Sequence, residues 1–240
     1  FDYKWDMGWM NDTLNYFKER PENRTASYHK LTFSMMYYYS ERFLLPLSHD
    51  EVVHGKGTII QKMSGEYETK FSQARALYMY MMAHPGKKLN FMGNELAHFR
   101  EWDEKRELDW NLLEYPIHGQ FHEFIKQLNH IYLKNPSFWN DYEESGFQWL
   151  DCHQEEKCIY ALKRSGQKQS MIAVFNFSEQ DYEDYKLNLQ ENCAFKLLLD
   201  SELRQFGGRK EYDCEKLYKA ENGSITLKVP GLSAQYYTVC

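Results

Sequence analysis

The chain has 240 residues, of which 42% are hydrophobic and 27% are charged, so one large or two smaller globular domains are expected. Its formal net charge of −6 and its lack of a basic stripe exclude a nucleic-acid partner, because phosphates must be neutralised by clustered Lys and Arg. The chain shows neither a leader pattern nor an apolar run near the ~18 residues of a membrane span, and its five cysteines are an odd number; these features favour a cytoplasmic protein without a membrane partner.

Helical and strand-like segments alternate over the first part of the chain. The first helix is expected to begin at Asn11 or Asp12 and to end before Pro21. The apolar run Phe43–Leu47 has no polar interruption, as is typical of a strand buried on both faces. This order of elements predicts a parallel sheet, either doubly wound or part of a (β/α)₈ barrel. The predicted elements are the helices Met10–Glu19, Tyr67–Ala83 and His118–Leu133, the strands Phe43–Leu47 and Leu89–Met92, and the segment Leu31–Tyr39, which fits either type.

After about residue 140 the pattern changes to short alternating runs bounded by Gly, Asn, Asp and Ser. Runs of this length and spacing predict an antiparallel β-sandwich. The expected fold class is therefore α/β followed by all-β, with residues 1–139 in the first unit and 140–240 in the second. The predicted strands are Cys158–Lys163, Ser170–Phe177, Tyr185–Leu189, Ala194–Leu199, Ser224–Val229 and Gln235–Val239.

A histidine and two carboxylates, His49, Asp50 and Glu51, follow closely on the buried strand. The carboxyl ends of parallel strands are where barrels of this class keep their active sites. Asp50 is the first catalytic candidate, because a carboxylate there can stabilise an oxocarbenium-like transition state or bind sugar hydroxyls. The alternative is that Asp50 only caps the segment that follows.

Glu95 follows the next predicted strand and is the second candidate. Glycoside chemistry uses two carboxylates that flank one bond, and Asp50 with Glu95 is the strand-end pair that this chain offers. The alternative for Glu95 is a structural hydrogen bond to neighbouring backbone. His49 and His54 do not have the spacing of metal ligands, so neither a metal nor a cofactor is expected.

Aromatic residues make up 17% of the chain, and some stand beside polar side chains. A ring offers its face to the C–H groups of a sugar, while polar neighbours bind the hydroxyls. Lys4 with Trp5, and Arg100 with Trp102, are combinations of this kind, although a single ring is more often part of a core.

Four segments are long and specific: Phe1–Met10, Leu45–Gly57, Ala83–Leu89 and Phe91–Glu95. They closely resemble the bacterial 1,4-α-glucan branching enzymes, which belong to the α-amylase clan. The resemblance continues more loosely to the end of the chain. One departure is Asp6, which stands where Asn is expected more often.

The resemblance implies that residues 1–139 are the last third of a (β/α)₈ barrel and that 140–240 are the β-sandwich that follows it. It also implies a retaining transglycosylation on α-glucan, in which an aspartate attacks an α-1,4 bond and a glucan 6-hydroxyl accepts the cut chain, forming an α-1,6 branch of glycogen. Asp50 matches the family's third carboxylate, which stabilises the transition state. Substrate contacts are implied for His49, Glu51, Lys4, Trp5, Glu95 and Trp102.

The same resemblance implies that the nucleophile and the acid/base lie on earlier strands of the barrel. Glu95 is then not the acid/base, and the chain needs the missing N-terminal part of the barrel for activity, so we expect it to be inactive by itself. Two other functions are compatible with the residues. One is an α-amylase-like glucan hydrolase or debranching enzyme, and the other is a non-catalytic glucan-binding module formed by the β domain.

Overall fold

A computed structural model describes residues 1–189, 192–211 and 216–240. Cys214, one of the cysteines that favoured a cytoplasmic protein, lies outside the described residues. The helices are α1 (Met7–Lys18), α2 (Lys30–Phe33), α3 (Ile59–Lys62), α4 (Tyr67–Ala83) and α5 (Pro116–Lys134). The strands are β1 (Lys4–Trp5), β2 (Phe43–Leu47), β3 (Lys87–Asn90), β4 (Phe147–Gln154), β5 (Ile159–Ser165), β6 (Ser170–Asn176), β7 (Tyr182–Asn188), β8 (Ala194–Asp200), β9 (Leu217–Lys219), β10 (Ser224–Val229) and β11 (Ser233–Val239).

The first part of the chain is built on a parallel sheet of the order β1-β2-β3. The central strand β2 pairs with β3 from Leu44 to Leu47, so the two strands end at the same level. The short strand β1 pairs only with the first two residues of β2, Phe43 and Leu44. The polar residues after β2 and β3 are therefore brought to one edge of the sheet, as the parallel pattern predicted.

The start of α1 differs from the prediction, because the cap is Asp6 rather than Asn11 or Asp12. The Asp6 carboxylate accepts hydrogen bonds from the Trp9 N–H and the Tyr37 hydroxyl, each at 2.8 Å. A side-chain oxygen at this position satisfies a backbone N–H that has no partner within the helix. Burial raises the pKa of this carboxyl. Asp6 thus caps the first helix although it departs from the family pattern.

The structure also defines one segment whose type the sequence left open, and it contains three strands that the sequence did not predict. The segment that fitted either helix or strand is a series of short helical turns: α2, Ser34–Met36 and Tyr38–Ser40. The strands β1, β4 and β9 were not predicted. Two of them, β1 and β9, are only two and three residues long, too short for an alternating pattern to be visible.

Helix α4 has the predicted bounds, but it is buried nearly all round rather than along one stripe. Consecutive residues from Ala74 to Ala83 are all buried. The helix lies between the parallel sheet on one side and the large antiparallel sheet on the other, and the apolar side chains of all three pack into one core. A helix enclosed in this way needs no polar face.

The second part of the chain forms a six-stranded antiparallel sheet, β4-β5-β6-β11-β8-β9, and a two-stranded sheet, β7 with β10. In β6, Ala173 and Phe175 face the core around α4, whereas Ile172 and Val174 face a second core that includes residues of β7 and β10. Both faces of the large sheet are therefore covered. This explains why β6 is a continuous apolar run rather than an alternating one.

Three buried arginines join the two parts of the chain. Arg164 on β5 donates to the carbonyls of Ala83, Gly146, Phe138 and Asn140 at 2.8–3.2 Å, and to the Asp141 carboxylate at 3.1 Å. Arg75 on α4 donates to the Ser201 carbonyl and to the Glu202 carboxylate, and Arg24 donates to the Phe177 carbonyl. All three side chains are fully buried. Burying a guanidinium is costly unless it makes hydrogen bonds, so these bonds between the two parts fix them against each other.

His84, the residue that follows α4, makes stability depend on pH. It is fully buried, its Nδ1 lies 2.8 Å from the Pro85 carbonyl oxygen and its Nε2 lies 2.8 Å from the Ser34 hydroxyl. Burial lowers the pKa of this imidazole from 6.5 to about 3. Below pH 6.5 the His84 imidazole is protonated in the unfolded chain but stays neutral in the folded chain. The free energy of unfolding therefore decreases as the pH falls from 6.5 towards 3.

We expect His84→Gln to weaken this pH dependence. Between about pH 7 and about pH 5, the free energy of unfolding should fall by about 2 kcal/mol less in the variant than in the unmodified chain. Urea denaturation at the two pH values measures the difference. His130→Gln, on the exposed face of α5, is the control and should leave the slope unchanged. Equal slopes in all three proteins would contradict the role of His84.

Among the described residues, no helix combines the length and apolarity needed to cross a membrane.

Candidate functional site

The predicted catalytic candidate lies on a single helical turn at the end of the central strand. Residues His49–Glu51 form this turn directly after β2 and Ser48. The Asp50 side chain is 54% exposed, and His49 is 50% exposed with its Nε2 3.3 Å from the Asp50 carboxylate. Asp50 therefore presents a carboxylate to solvent, beside an imidazole that can donate a hydrogen bond.

An aromatic wall adjoins this turn. The ring of His49 lies 5.8 Å from the ring of Phe91, which follows β3, and Phe91 meets Trp102 edge to face at 5.2 Å between centroids. The backbone N–H of Trp102 donates a hydrogen bond to the Val52 carbonyl at 3.0 Å, which connects this wall to the loop after Asp50. Trp102 was predicted to contact substrate, whereas Phe91 was not singled out because it looked like part of a buried strand.

Glu51 faces away from solvent more than its neighbours, with 12% of its side chain exposed. Its carboxylate lies 3.6 Å from the ammonium of Lys56. Glu51 is thus neutralised by Lys56 within the loop, and Asp50 is the more available of the two carboxylates for binding a ligand.

Glu95 lies on the turn Asn94–Leu96 after β3, and its carboxylate accepts a hydrogen bond from the N–H of Gly93 at 2.9 Å. This is the structural bond to neighbouring backbone that the sequence left open as its alternative. Gly93 has a left-handed backbone with φ of 93°, which favours glycine, and the Glu95 bond closes the turn around it. Asn94 bonds to the Leu47 carbonyl at 3.3 Å and so joins this turn to β2.

Lys4 and Trp5 lie at a different level of the sheet from Asp50. Lys4 pairs with Phe43 at the amino end of β2, and its ammonium lies 3.4 Å from the Glu41 carboxylate. Trp5 is 39% exposed and pairs with Leu44. The structure thus brings His49, Asp50, Phe91 and Trp102 together, and places Lys4 and Trp5 towards the other end of β2.

A cleft lies beside the site, between the loop after Asp50 and the segment after β3. It is lined by both apolar and charged side chains, among them Ile59, Trp102 and Arg106. Two of the lining residues, His98 and Arg100, contact the Asp109 carboxylate, which accepts two hydrogen bonds from Arg100, at 2.7 and 3.1 Å, and lies 3.2 Å from His98 Nδ1. Burial lowers the pKa of His98, so its ring is neutral at pH 7. The Arg100 guanidinium is thus hydrogen-bonded to Asp109, and the combination of Arg100 with Trp102 as a sugar-binding group stays a prediction.

Two residues that hold the loop after Asp50 escaped prediction. Lys62 was not singled out, yet it is 5% exposed and its ammonium reaches into the loop. Glu101 was not distinguished from other acidic residues, yet its carboxylate binds the backbone of Gly55 and Gly57. The detectable signals were a lysine among Ile59, Ile60 and Met63, and a Gly-x-Gly loop that requires an anion or a side chain to satisfy its amides.

Metal ligands are not clustered in the described ranges, where no group of three or more His, Cys, Asp or Glu side chains is arranged to hold an ion. The chemistry available at the site is that of an exposed carboxylate, an imidazole and aromatic faces, which suits sugar hydroxyls and a developing positive charge.

Curated relatives cover nearly the whole chain. The 1,4-alpha-glucan branching enzyme of Bacillus caldolyticus is 44% identical over 220 residues, which are 90% of this chain and 33% of that protein. That of Bacillus cereus strain B4264 is 44% identical over 239 residues, which are 96% of this chain and 37% of that protein. The chain therefore spans about a third of the length of the curated relatives that it matches. Residues 149–240 also match the family described as the α-amylase C-terminal all-beta domain.

Solved structures of α-amylases share the fold. That of Geobacillus thermoleovorans, determined with acarbose, matches with a TM-score of 0.69 and 13% identity over the whole chain and 48% of the amylase. The Anoxybacillus α-amylase matches with a TM-score of 0.66 and 15% identity over the whole chain and 47% of the amylase. Together with the family match, these similarities confirm the predicted all-β fold of the second part.

Proposed function

The chain is a relative of the bacterial 1,4-α-glucan branching enzymes over nearly its whole length, and on this premise we propose that it is the C-terminal part of such an enzyme. The reaction would be a retaining transglycosylation that forms α-1,6 branches in glycogen. The observation that carries the proposal is the position of Asp50, an exposed carboxylate on the turn after the central parallel strand, beside His49 and the aromatic wall.

In this reaction Asp50 would hold sugar hydroxyls and stabilise the oxocarbenium-like transition state. Its charge suits this role because, within the part of the chain that the structure describes, no lysine or arginine forms an ion pair with Asp50, whereas Lys56 pairs with Glu51. A retaining mechanism also requires a nucleophile and an acid/base. Glu95 closes its own turn by bonding to Gly93, so we assign these two roles to the rest of the enzyme.

The fold of the whole enzyme follows from the same proposal. The sheet β1-β2-β3 with its helices would be the last third of a (β/α)₈ barrel, in residues 1–139, and residues 140–240 would be the β-sandwich domain. Parallel edge strands buried in a protein need neighbours, and the missing strands of a barrel would provide them. The enzyme would act on α-glucan in the cytoplasm, without nucleic acid or membrane as partner.

Substrate would lie along the turn His49–Glu51 and against Trp102, with Glu95 at the margin. A ring such as that of Trp102 binds the apolar face of a glucose unit, while His49 and Asp50 bind its hydroxyls. Lys4 and Trp5 would contact a glucan only where it extends along the sheet beyond this group.

The test is an amylose assay on the full-length enzyme that contains this chain, and on the chain alone. For the full-length enzyme we expect the absorbance of the iodine complex to fall without a proportional release of reducing ends, because transfer conserves the number of glycosidic bonds. The chain alone should give no change in either signal. Reducing ends that rise in proportion would indicate a hydrolase, and branching by the chain alone would contradict the proposed division of catalytic residues.

A further inference from the structure

The loop between Asp50 and α3, residues 51–57, contains three residues in the left-handed backbone conformation, one of which is not glycine. His54, Gly55 and Gly57 all have positive φ, at 60°, 78° and 73°. A non-glycine residue such as His54 rarely adopts this conformation unless its surroundings impose it. Contacts from outside the loop hold it in this conformation.

Lys62 holds the loop from one side. Its ammonium donates hydrogen bonds to the backbone carbonyls of Glu51, Lys56 (3.0 Å) and Gly57 (3.1 Å). The three bonds use all three donors of the ammonium. One of these bonds reaches Glu51, the residue directly after Asp50. The turn His49–Glu51 and the far end of the loop are therefore both bonded to Lys62 Nζ.

Glu101 holds the loop from the opposite side. One carboxylate oxygen accepts from the Gly55 N–H at 3.0 Å, and the other accepts from the Gly57 N–H at 2.6 Å. These backbone bonds lower the pKa of Glu101, so the carboxylate is charged at neutral pH. The next residue, Trp102, donates to the Val52 carbonyl and extends the same attachment to the aromatic wall.

Burying the Lys62 ammonium costs free energy, so packing alone does not explain why a lysine stands at this position. Lys62 is 5% exposed, and burial lowers the pKa of its ammonium to about 8. A methionine of similar length would avoid that penalty at a position flanked by apolar residues. What a methionine could not do is bond to three loop carbonyls.

We propose that Lys62 and Glu101 are positioning residues that clamp the 51–57 loop and thereby fix Asp50 for catalysis. The inference rests on the proposed function of Asp50. The ammonium binds the carbonyls and the carboxylate binds the amides, so the two charges together fix both sides of one backbone segment. In this role both side chains act through the loop backbone rather than on the reacting atoms.

The test compares Glu101→Gln and Lys62→Met in the full-length enzyme with Glu104→Gln and Lys105→Met, two exposed neighbours with the same changes of charge. We expect kcat to fall about 10- to 100-fold in the first pair, as a misplaced group of this kind does, with KM changed less than about twofold. The control pair should have the kcat of the unmodified enzyme. Hydrogen exchange at the Gly55 and Gly57 amides should accelerate in Glu101→Gln.

Alkaline pH provides a second readout, which a purely structural role would not give. The charged groups that face Lys62 are Glu51, Glu101, Lys18 and Lys56. As the ammonium loses its proton near pH 8, the clamp weakens, so kcat should decline with an apparent pKa near 8 in the unmodified enzyme. This decline should be absent in Lys62→Met, whose kcat is low at every pH.

The outcomes separate the clamp from the proposed function. If the unmodified enzyme does not branch amylose, the proposed function fails, while hydrogen exchange still tests the clamp. If it branches and Glu101→Gln keeps its kcat although exchange at Gly55 and Gly57 accelerates, the positioning role is overturned. Should Lys62→Met fail to fold, Glu101→Gln decides the question, because Glu101 lies near the surface.

Discussion

Asp50→Asn in the full-length enzyme is expected to lower kcat for branching by about 100- to 1,000-fold, or about 3–4 kcal/mol of barrier. The substitution keeps the size of the side chain and removes its charge. The transition state carries positive charge on the sugar ring, so a preorganised carboxylate stabilises it more than it stabilises the bound substrate. Because the Asp50 side chain is half exposed and its contact with His49 is long, at 3.3 Å, the fold should tolerate the change.

Initial rates on amylose, together with the melting temperature, measure this effect. Asp184→Asn is the matched control, an exposed aspartate on β7 that undergoes the same change. It should keep the full rate. An Asp50→Asn enzyme with near-normal turnover and an unchanged melting temperature would remove Asp50 from the mechanism, and with it the observation on which the proposed function depends.

Arg164→Met should lower the free energy of unfolding by about 3–5 kcal/mol, as expected when one partner of a buried ion pair is removed. The side chain is fully buried, and it bonds to four carbonyls and to the Asp141 carboxylate, whose side chain is also fully buried. Methionine would fill much of the space but satisfy none of these acceptors. Among the described residues, Asp141 would keep Lys87, at 3.0 Å, as its one direct ion-pair partner.

Urea denaturation of the chain measures this loss. Arg204→Met is the control, since Arg204 is 67% exposed and pairs with an exposed glutamate, and it should change the free energy of unfolding by less than about 0.5 kcal/mol. The double variant Arg164→Met with Asp141→Asn should be less destabilised than the sum of the single variants, because the uncompensated charge is gone. A loss below about 1 kcal/mol in Arg164→Met would show that the arginine is not needed to join the two parts.

The sequence predicted what local patterns determine. The strand β2 and the helix α4 have their predicted bounds, since an uninterrupted apolar run and a clear stop at His84-Pro85-Gly86 mark them. The grouping of His49 and Asp50 at the end of β2 also followed from the order of the elements. These features depend on residues that are neighbours in the chain.

The sequence could not show which distant residues meet. Glu101 binds Gly55 and Gly57 across more than 40 positions, and Arg164 binds the carbonyl of Ala83 across 81 positions. Neither pairing leaves a periodic signal, because only one side chain is involved and the other partner is backbone. For the same reason the burial of α4 on every side was not foreseen, since it depends on a sheet formed by residues after 146.

Helix α4, enclosed by two sheets, has a consequence for the history of the protein. Its residues Tyr80 to Ala83 belong to a core that also includes Phe175 and Tyr236. Separating the two parts of the chain would therefore expose apolar side chains on both. Recombination that exchanged only the all-β part would have to preserve the side chains of β6 and β11 that pack against α4. We therefore expect substitutions on α4 to be matched by compensating changes on β6 and β11 among relatives.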